Sequence, residues 1–193
     1  MIRVSTTSGN DDLEKILGLQ EKNLSRNLTT DEIKSQGFVT INHSLQMLQQ
    51  MHTMAPSIIV KDDDRIAAYA LTMLREFSTL VPALEPMFEK FESLRWKEKP
   101  LNFYSYYVMG QICVDKAYRG QGLFDALYQK HKEVYSSRFD LLVTEIATRN
   151  LRSINAHQRV GFETVNTFRD ETDEWNVVVW DWKLKPPTTS NLK

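Results

Sequence analysis

Apolar positions recur along the chain with two different periods, and the changes between them predict the order of elements. Ile2 to Ser5 reads as a short strand. Asn10 can cap a helix in which Leu13, Ile16, Leu17 and Leu24 follow helical spacing. Thr29 to Ile41 is mixed, with Gly37 inside it, and Leu45, Leu48, Met51 and His52 after Ser44 predict a second helix that stops before Pro56. Ser57–Lys61 and Arg65–Leu74 are apolar runs around Asp62, Asp63 and Asp64, the pattern of an antiparallel hairpin with a charged turn. The Asp triplet lacks the Gly and distal Glu of a calcium loop, so it reads as a solvated turn.

Phe77 to Lys99 is expected to be helical, with Leu84, Met87, Phe88, Phe91 and Leu94 on one face and Pro82 and Pro86 limiting its start. That stripe reads as core, with a lid over a cleft as the alternative. Phe103 to Val114 predicts a long strand carrying Tyr104, Tyr106 and Tyr107. Tyr106 shares a face with Ile112 and Val114 only if no bulge intervenes, and Gly110 is a natural place for one, so its side stays open. A glycine-containing turn, a helix (Leu123 to Ser136), a strand (Leu141 to Ala147), a helix (Leu151 to Val160) and two strands (Phe162 to Phe168, Trp175 to Leu184) complete the order.

The length of 193 residues suits one domain, expected over residues 1–184, with a disordered tail from Lys185. A net charge of -1 argues against a general nucleic-acid binder, which needs a basic stripe to displace counterions. Cys113 is the only cysteine, which excludes an internal disulfide. It reads as a small core residue rather than a nucleophile. The opening MIRVSTTSGNDD holds no long apolar run, so no signal peptide or membrane span is expected and a cytoplasmic location is. His43, His52 and His131 lack metal-ligand spacing, no metal site is expected, and no Gly-x-Ser-x-Gly is present.

The segment that carries chemistry runs from Val114 to Phe124. A strand ends, a tight turn holds Gly120 and Gly122, and a helix begins with Leu123, Leu127 and Val134 facing inward. The first N–H groups of a helix lack internal partners and carry partial positive charge. Glycines let the backbone approach a phosphate closely. Together these features predict a site for a diphosphate-sized anion, with Arg119 adding a fixed charge. The turn lacks the Lys-Ser/Thr of a P-loop and the third glycine of a dinucleotide fingerprint.

Arg119-Gly120-Gln121-Gly122-Leu123-Phe124, after Ile112-Cys113-Val114, resembles the signature of the GNAT superfamily of CoA-dependent N-acetyltransferases, Gln/Arg-x-x-Gly-x-Gly/Ala. Phe124 departs from the small residue expected there. A second segment, Asn150 to Phe162, is similar to that family's Asn-x-x-Ala/Ser-x-x-x-Tyr-x-x-x-Gly-Phe: Asn150, Ser153, Gly161 and Phe162 match, and His157 stands at the tyrosine position. Asn150 can cap this helix and Gly161 can end it.

The resemblance implies a mixed α/β fold, with a mostly antiparallel sheet of about seven strands flanked by helices. A parallel pair ending near Val114 and Ala147 would splay to admit acetyl-CoA. It also implies that Ile112 and Val114 pair with the pantetheine arm and that the turn holds the pyrophosphate. A backbone N–H near Ile112 would stabilise the oxyanion, and His157 would protonate the departing thiolate, its charged form being a good donor.

Glu145 shares a strand face with Leu141 and Val143, and a carboxylate there is either paired with an arginine or functional. The functional reading is a base whose pKa burial raises, taking a proton from the substrate ammonium. The acceptor is expected to be a primary amine of a small molecule or a peptide. A non-catalytic acyl-CoA sensor on the same fold is the alternative. The apolar face of residues 77–100 and the strand at 175–182 are candidates for a homodimer contact.

Overall fold

The computed structural model describes residues 1–36, 38–39, 41–79 and 84–183. Gly37, residues 80–83 of the expected Phe77–Lys99 helix and the tail expected to be disordered lie outside these. Strand β1 (Ile2–Thr6) leads through helices α1 (Asn10–Asn23), α2 (Thr30–Gln36) and α3 (Leu45–Met54) into the hairpin β2 (Ile58–Asp62) and β3 (Arg65–Met73). Helix α4 (Glu85–Ser93) and the two-residue strands β4 (Arg95–Trp96) and β5 (Lys99–Pro100) follow. The second half comprises β6 (Tyr106–Val114), α5 (Leu123–Tyr135), β7 (Leu141–Ala147), α6 (Leu151–Val160), β8 (Glu163–Arg169) and β9 (Glu174–Asp181).

Seven strands form one sheet in the order β1-β2-β3-β6-β7-β9-β8, antiparallel except for the pair β6–β7. Each face carries its own apolar layer, because alternate residues of a strand point to opposite sides. Leu13 and Ile16 of α1, Leu48 and Met51 of α3 and Phe88 and Phe91 of α4 pack with Ile59, Tyr69 and Leu71 on one face. Leu123, Leu127 and Tyr128 of α5 pack with Val60, Ala68, Ala70 and Leu142 on the other. The small side chains of β3 on that face let α5 sit close to the sheet.

Three local expectations are corrected. The N-cap of α1 is Gly9, not Asn10, because Asp12 reaches back to accept from the Ser8 N–H and hydroxyl. The helix expected over Phe77–Lys99 shrinks to Glu85–Ser93, with Pro86 in its first turn. Leu94 then turns extended and the β4–β5 hairpin begins, with Lys97 and Glu98 at positive φ. The long strand expected from Phe103 starts only at Tyr106, after a 3-10 turn at Leu101–Phe103.

The bulge does fall at Gly110: Leu71 faces Gln111 while Thr72 faces Met109, leaving Gly110 without a partner on β3. Strand parity flips there. Tyr106 therefore shares its layer with Cys113, and Tyr107 lies on the side of Ile112 and Val114. The parallel pairing of β6 with β7 covers only Tyr106↔Leu141, Tyr107↔Leu142 and Val108↔Val143. Just beyond it the Thr144 hydroxyl donates to the Met109 carbonyl at 3.0 Å. Further on, β6 follows β3 and β7 follows β9, so the two strands diverge.

Two buried histidines stiffen these layers. His43 meets Gln20 at 2.7 Å, and His131 bonds the Tyr107 hydroxyl at 2.8 Å. Burial pushes their pKa values down to about 4 and about 3. Unfolded histidine binds a proton below about 6.5 while these do not, so the unfolded state gains protons first as pH falls. Chemical denaturation at a series of pH values is expected to show the histidines' share of the stability, on the order of several kcal/mol, lost progressively from pH 6.5 towards 4.

Candidate active site

The turn after β6 is pinned at its root. The Asp115 carboxylate accepts from the Ala117 N–H at 2.9 Å and from Arg65 at 2.6 Å, and the Asp115 N–H donates to the Ala67 carbonyl at 2.9 Å. The chain then passes through Gly120 at φ 78 and Gly122 at φ 77, the left-handed region where glycine is unstrained. Gly122 is the N-cap of α5, and no side chain caps the helix. The first intrahelical bond is Ala126 N–H to the Gly122 carbonyl at 3.0 Å, so the N–H groups of Leu123, Phe124 and Asp125 precede the helical ladder. The glycine turn and the helix start behind it were legible in the sequence because they need only local geometry.

A cavity of about 560 Å³ opens in front of this turn. Ile112, Cys113, Val114 and Arg119 line it from β6 and the turn, with Gly120, Gly122, Leu123 and Phe124 beside them. Asn150 and Ser153 close it from α6. Gln121 is not among the lining residues: its side chain is exposed and bonds back to the Ala117 carbonyl at 3.3 Å. The Phe124 ring turns sideways, edge-on to Tyr128 and to His157 at 5.1 Å each, so this large residue packs between α5 and α6. The Arg119 guanidinium bonds the Val114 carbonyl and, at 2.9 Å, the Asn23 side chain. Burial lowers its pKa, helped by the charge of Arg152.

A second, smaller recess of about 90 Å³ lies between the diverging strands and shares Phe38, Val39, Ile112, Asn150 and Ser153 with the first. Glu145 and His157 both line it. Among the described residues Glu145 has no arginine partner. Its Oε1 is buried without a hydrogen bond among the described residues. Burial above all, with the Asp170 charge adding, raises its pKa to about 7, against a smaller opposing pull from Lys90. A carboxyl group with that pKa is a competent proton acceptor near neutrality.

His157 differs from the charged acid expected of it. Its Nε2 meets the Tyr128 hydroxyl at 2.6 Å and its Nδ1 meets the Ser153 carbonyl at 2.8 Å. A carbonyl can only accept, so Nδ1 carries the proton and Nε2 accepts from Tyr128. Burial pushes the pKa down to about 4, which keeps the ring neutral at physiological pH. Burial likewise raises the Cys113 thiol to about 12, consistent with a packing role.

Several further residues line these spaces. Arg152, Asn155 and Arg159 line the large cavity from one face of α6, and their spacing beside Asn150 and Ser153 was the available signal. Phe38 lines both spaces, with the Arg149 guanidinium 4.4 Å over its ring and Arg149 paired to Asp173. Asn23 and Phe38 arrive from a distant segment, and no local pattern marks them.

A family model described as "Acetyltransferase (GNAT) family" matches residues 28–162. No curated protein sequence matches the chain significantly. Among solved structures, the ribosomal-protein-S18-alanine N-acetyltransferase from Escherichia coli is 14% identical, with 97% of this chain and 98% of that one covered at a TM-score of 0.64. A GNAT-family acetyltransferase from Streptococcus agalactiae 2603 is 12% identical, covering 93% and 95% at 0.63. A chain of the NatC complex bound to Gag peptide and CoA is 11% identical, covering 93% and 98% at 0.62. These likenesses are of fold. With the mixed sheet and the glycine turn in place, the match over residues 28–162 makes this chain a member of the acetyltransferase (GNAT) family.

Proposed function

We propose that this protein is an acetyl-CoA-dependent N-acetyltransferase acting on a primary amine of a small molecule or a peptide. The observation that carries the reading is the shared wall of the two spaces: Phe38, Val39, Ile112, Asn150 and Ser153 line both the cavity at the glycine turn and the recess that holds Glu145, whose buried Oε1 has no hydrogen-bond partner among the described residues. The residues fit CoA. The uncapped start of α5 and Arg119 suit a diphosphate, and the gap beyond Val108 exposes the β6 edge at Ile112 and Val114 to an extended pantetheine arm. Acetyl-CoA supplies the activated acyl group as a thioester.

Glu145 would take one proton from the acceptor ammonium, freeing the nitrogen lone pair for direct attack on the acyl carbon; as the C–N bond forms the thioester C–S bond would break, and the second N–H proton would leave with the departing thiolate as a thiol. A backbone N–H on the β6 edge past Gly110 polarises the acyl oxygen. His157, neutral and held at both nitrogens by the Ser153 carbonyl and the Tyr128 hydroxyl, lines the recess rather than acting as a charged acid. Direct transfer needs no enzyme nucleophile, in keeping with the buried Cys113 thiol. Among the described residues no helix is long and apolar enough to cross a membrane.

A thermal-shift titration with acetyl-CoA and CoA, with NAD as comparator, tests the reading. At about 100 times the dissociation constant, a ligand adds roughly 2.7 kcal/mol. For a domain of this size that raises the melting temperature by about 5–10 °C. Stabilisation by both CoA compounds and not by NAD is expected. No shift at millimolar concentration removes the cofactor assignment.

A further inference from the structure

We propose that Phe38 sets the length of the acyl group this protein accepts, its ring closing the recess beside Glu145 to all but the shortest acyl-CoA donors. The inference deepens the cofactor reading above and rests on it. With acetyl-CoA in the cavity at the glycine turn, the thioester reaches the wall that the two spaces share, and the acyl group enters the smaller one. That recess measures about 90 Å³, roughly the liquid volume of three water molecules. An acetyl group matches that space, and each further methylene needs room beyond it. Met109, Ile112, Ile146 and Ala147 give the recess apolar surface. Its polar neighbours are engaged with the protein: the Thr144 hydroxyl with the Met109 carbonyl, Gln111 with Tyr69 and the Ile41 carbonyl, His157 with Tyr128 and Ser153. Such a lining suits a short apolar group.

Phe38 is the largest side chain common to both spaces, and it is held from two sides. Val39 beside it is pinned to the end of α1: its N–H donates to the Asn23 carbonyl at 3.0 Å, and its carbonyl accepts from the Ser25 N–H at 3.3 Å. Over the ring stands the Arg149 guanidinium, 4.4 Å from the centroid, a cation–π contact. Asp173 holds that guanidinium at 2.5 Å. The Thr148 N–H donates to the Glu174 carbonyl at 2.8 Å, which fastens the turn carrying Arg149 to the β8–β9 hairpin. A ring braced in this way resists displacement. A longer acyl chain then clashes with it or stays in water.

Isothermal titration of CoA, acetyl-CoA and hexanoyl-CoA into the wild type, Phe38→Ala and Arg149→Gln tests this. The wild type is expected to bind acetyl-CoA about tenfold or more tighter than hexanoyl-CoA, the scale on which a pocket discriminates methylenes. Phe38→Ala should bring the two acyl-CoA affinities within about twofold of each other, with free CoA as the reference for the rest of the cofactor. Arg149→Gln frees the ring without removing it and should lose part of the preference. Equal wild-type affinity for acetyl-CoA and hexanoyl-CoA overturns the proposal, and so does a preference that Phe38→Ala leaves intact. An equal weakening of all three ligands in Phe38→Ala also overturns it, assigning Phe38 to the fold or to the body of the cofactor. Arg149 is exposed, so its variant decides alone if Phe38→Ala does not fold: full acetyl preference in Arg149→Gln overturns the proposal. Binding of no ligand by the wild type removes the cofactor reading itself, a distinct result.

Discussion

Glu145→Gln is expected to lower turnover by roughly 10²–10⁴-fold while leaving the acetyl-CoA dissociation constant within about twofold of wild type. Gln keeps the shape of the side chain and cannot take a proton. The wild-type kcat/KM should fall as pH drops below about 7, where the carboxyl group of Glu145 becomes protonated. The stability effect has the opposite sign. In the unfolded chain this carboxyl group ionises near its ordinary value of 4.5, whereas in the fold it holds its proton to about 7. Between those values the folded state binds more protons, so stability falls with rising pH and stays low above 7.

Gln removes that burden, and the variant should gain about 1–3 kcal/mol at pH 8 and little at pH 4. Loss of turnover together with gain of stability is the signature of a residue retained for chemistry. Full turnover in Glu145→Gln with a known acceptor would sink the base assignment. Unchanged cofactor binding without any turnover in the wild type would favour an acyl-CoA sensor.

Gly161→Ala is expected to be the most disruptive small substitution in the fold. Gly161 ends α6 at φ 119, where an L side chain is strained, and its N–H bonds back to the His157 and Gln158 carbonyls. A Cβ at this position would lie 2.9 Å from Trp180 Nε1 and 3.3 Å from its Cδ1. Trp180 cannot easily retreat, being packed edge-on to Tyr128 at 5.9 Å and against Phe162 at 5.6 Å. Backbone strain and overpacking together should remove about 2–5 kcal/mol, a fall of roughly 5–15 °C in melting temperature. His157 and Phe162 border the same cluster, so acetyl-CoA affinity should weaken too. A melting temperature within about 2 °C of wild type would show that Trp180 gives way.

Much of the second half of the fold was legible because its signals are local. The left-handed glycines of the turn, the Asn150 cap, whose side chain accepts from the Ser153 N–H at 3.2 Å, and the Gly161 ending each depend on a few neighbouring residues. The first half was less so. Thr29 to Ile41 lacks a clear period, and residues from it, Phe38 and Val39, reach the cavity only through long-range packing.

By itself the sequence determined the strand–turn–helix order, the glycine turn at Gly120–Gly122, Gly110 as a natural place for a bulge and the position of Glu145 on an apolar strand face. These follow from backbone geometry and side-chain spacing within one or two elements. Only the tertiary structure decided three further matters. It made His157 a neutral ring held by Tyr128 and Ser153, because a hydrogen-bond partner on α5 cannot be read from α6. It put Tyr106 with Cys113 and away from Ile112, because the bulge reverses strand parity. It brought Arg152 and Arg159 to one cavity with Arg119, because charge accumulates at a site only when separate elements converge on it.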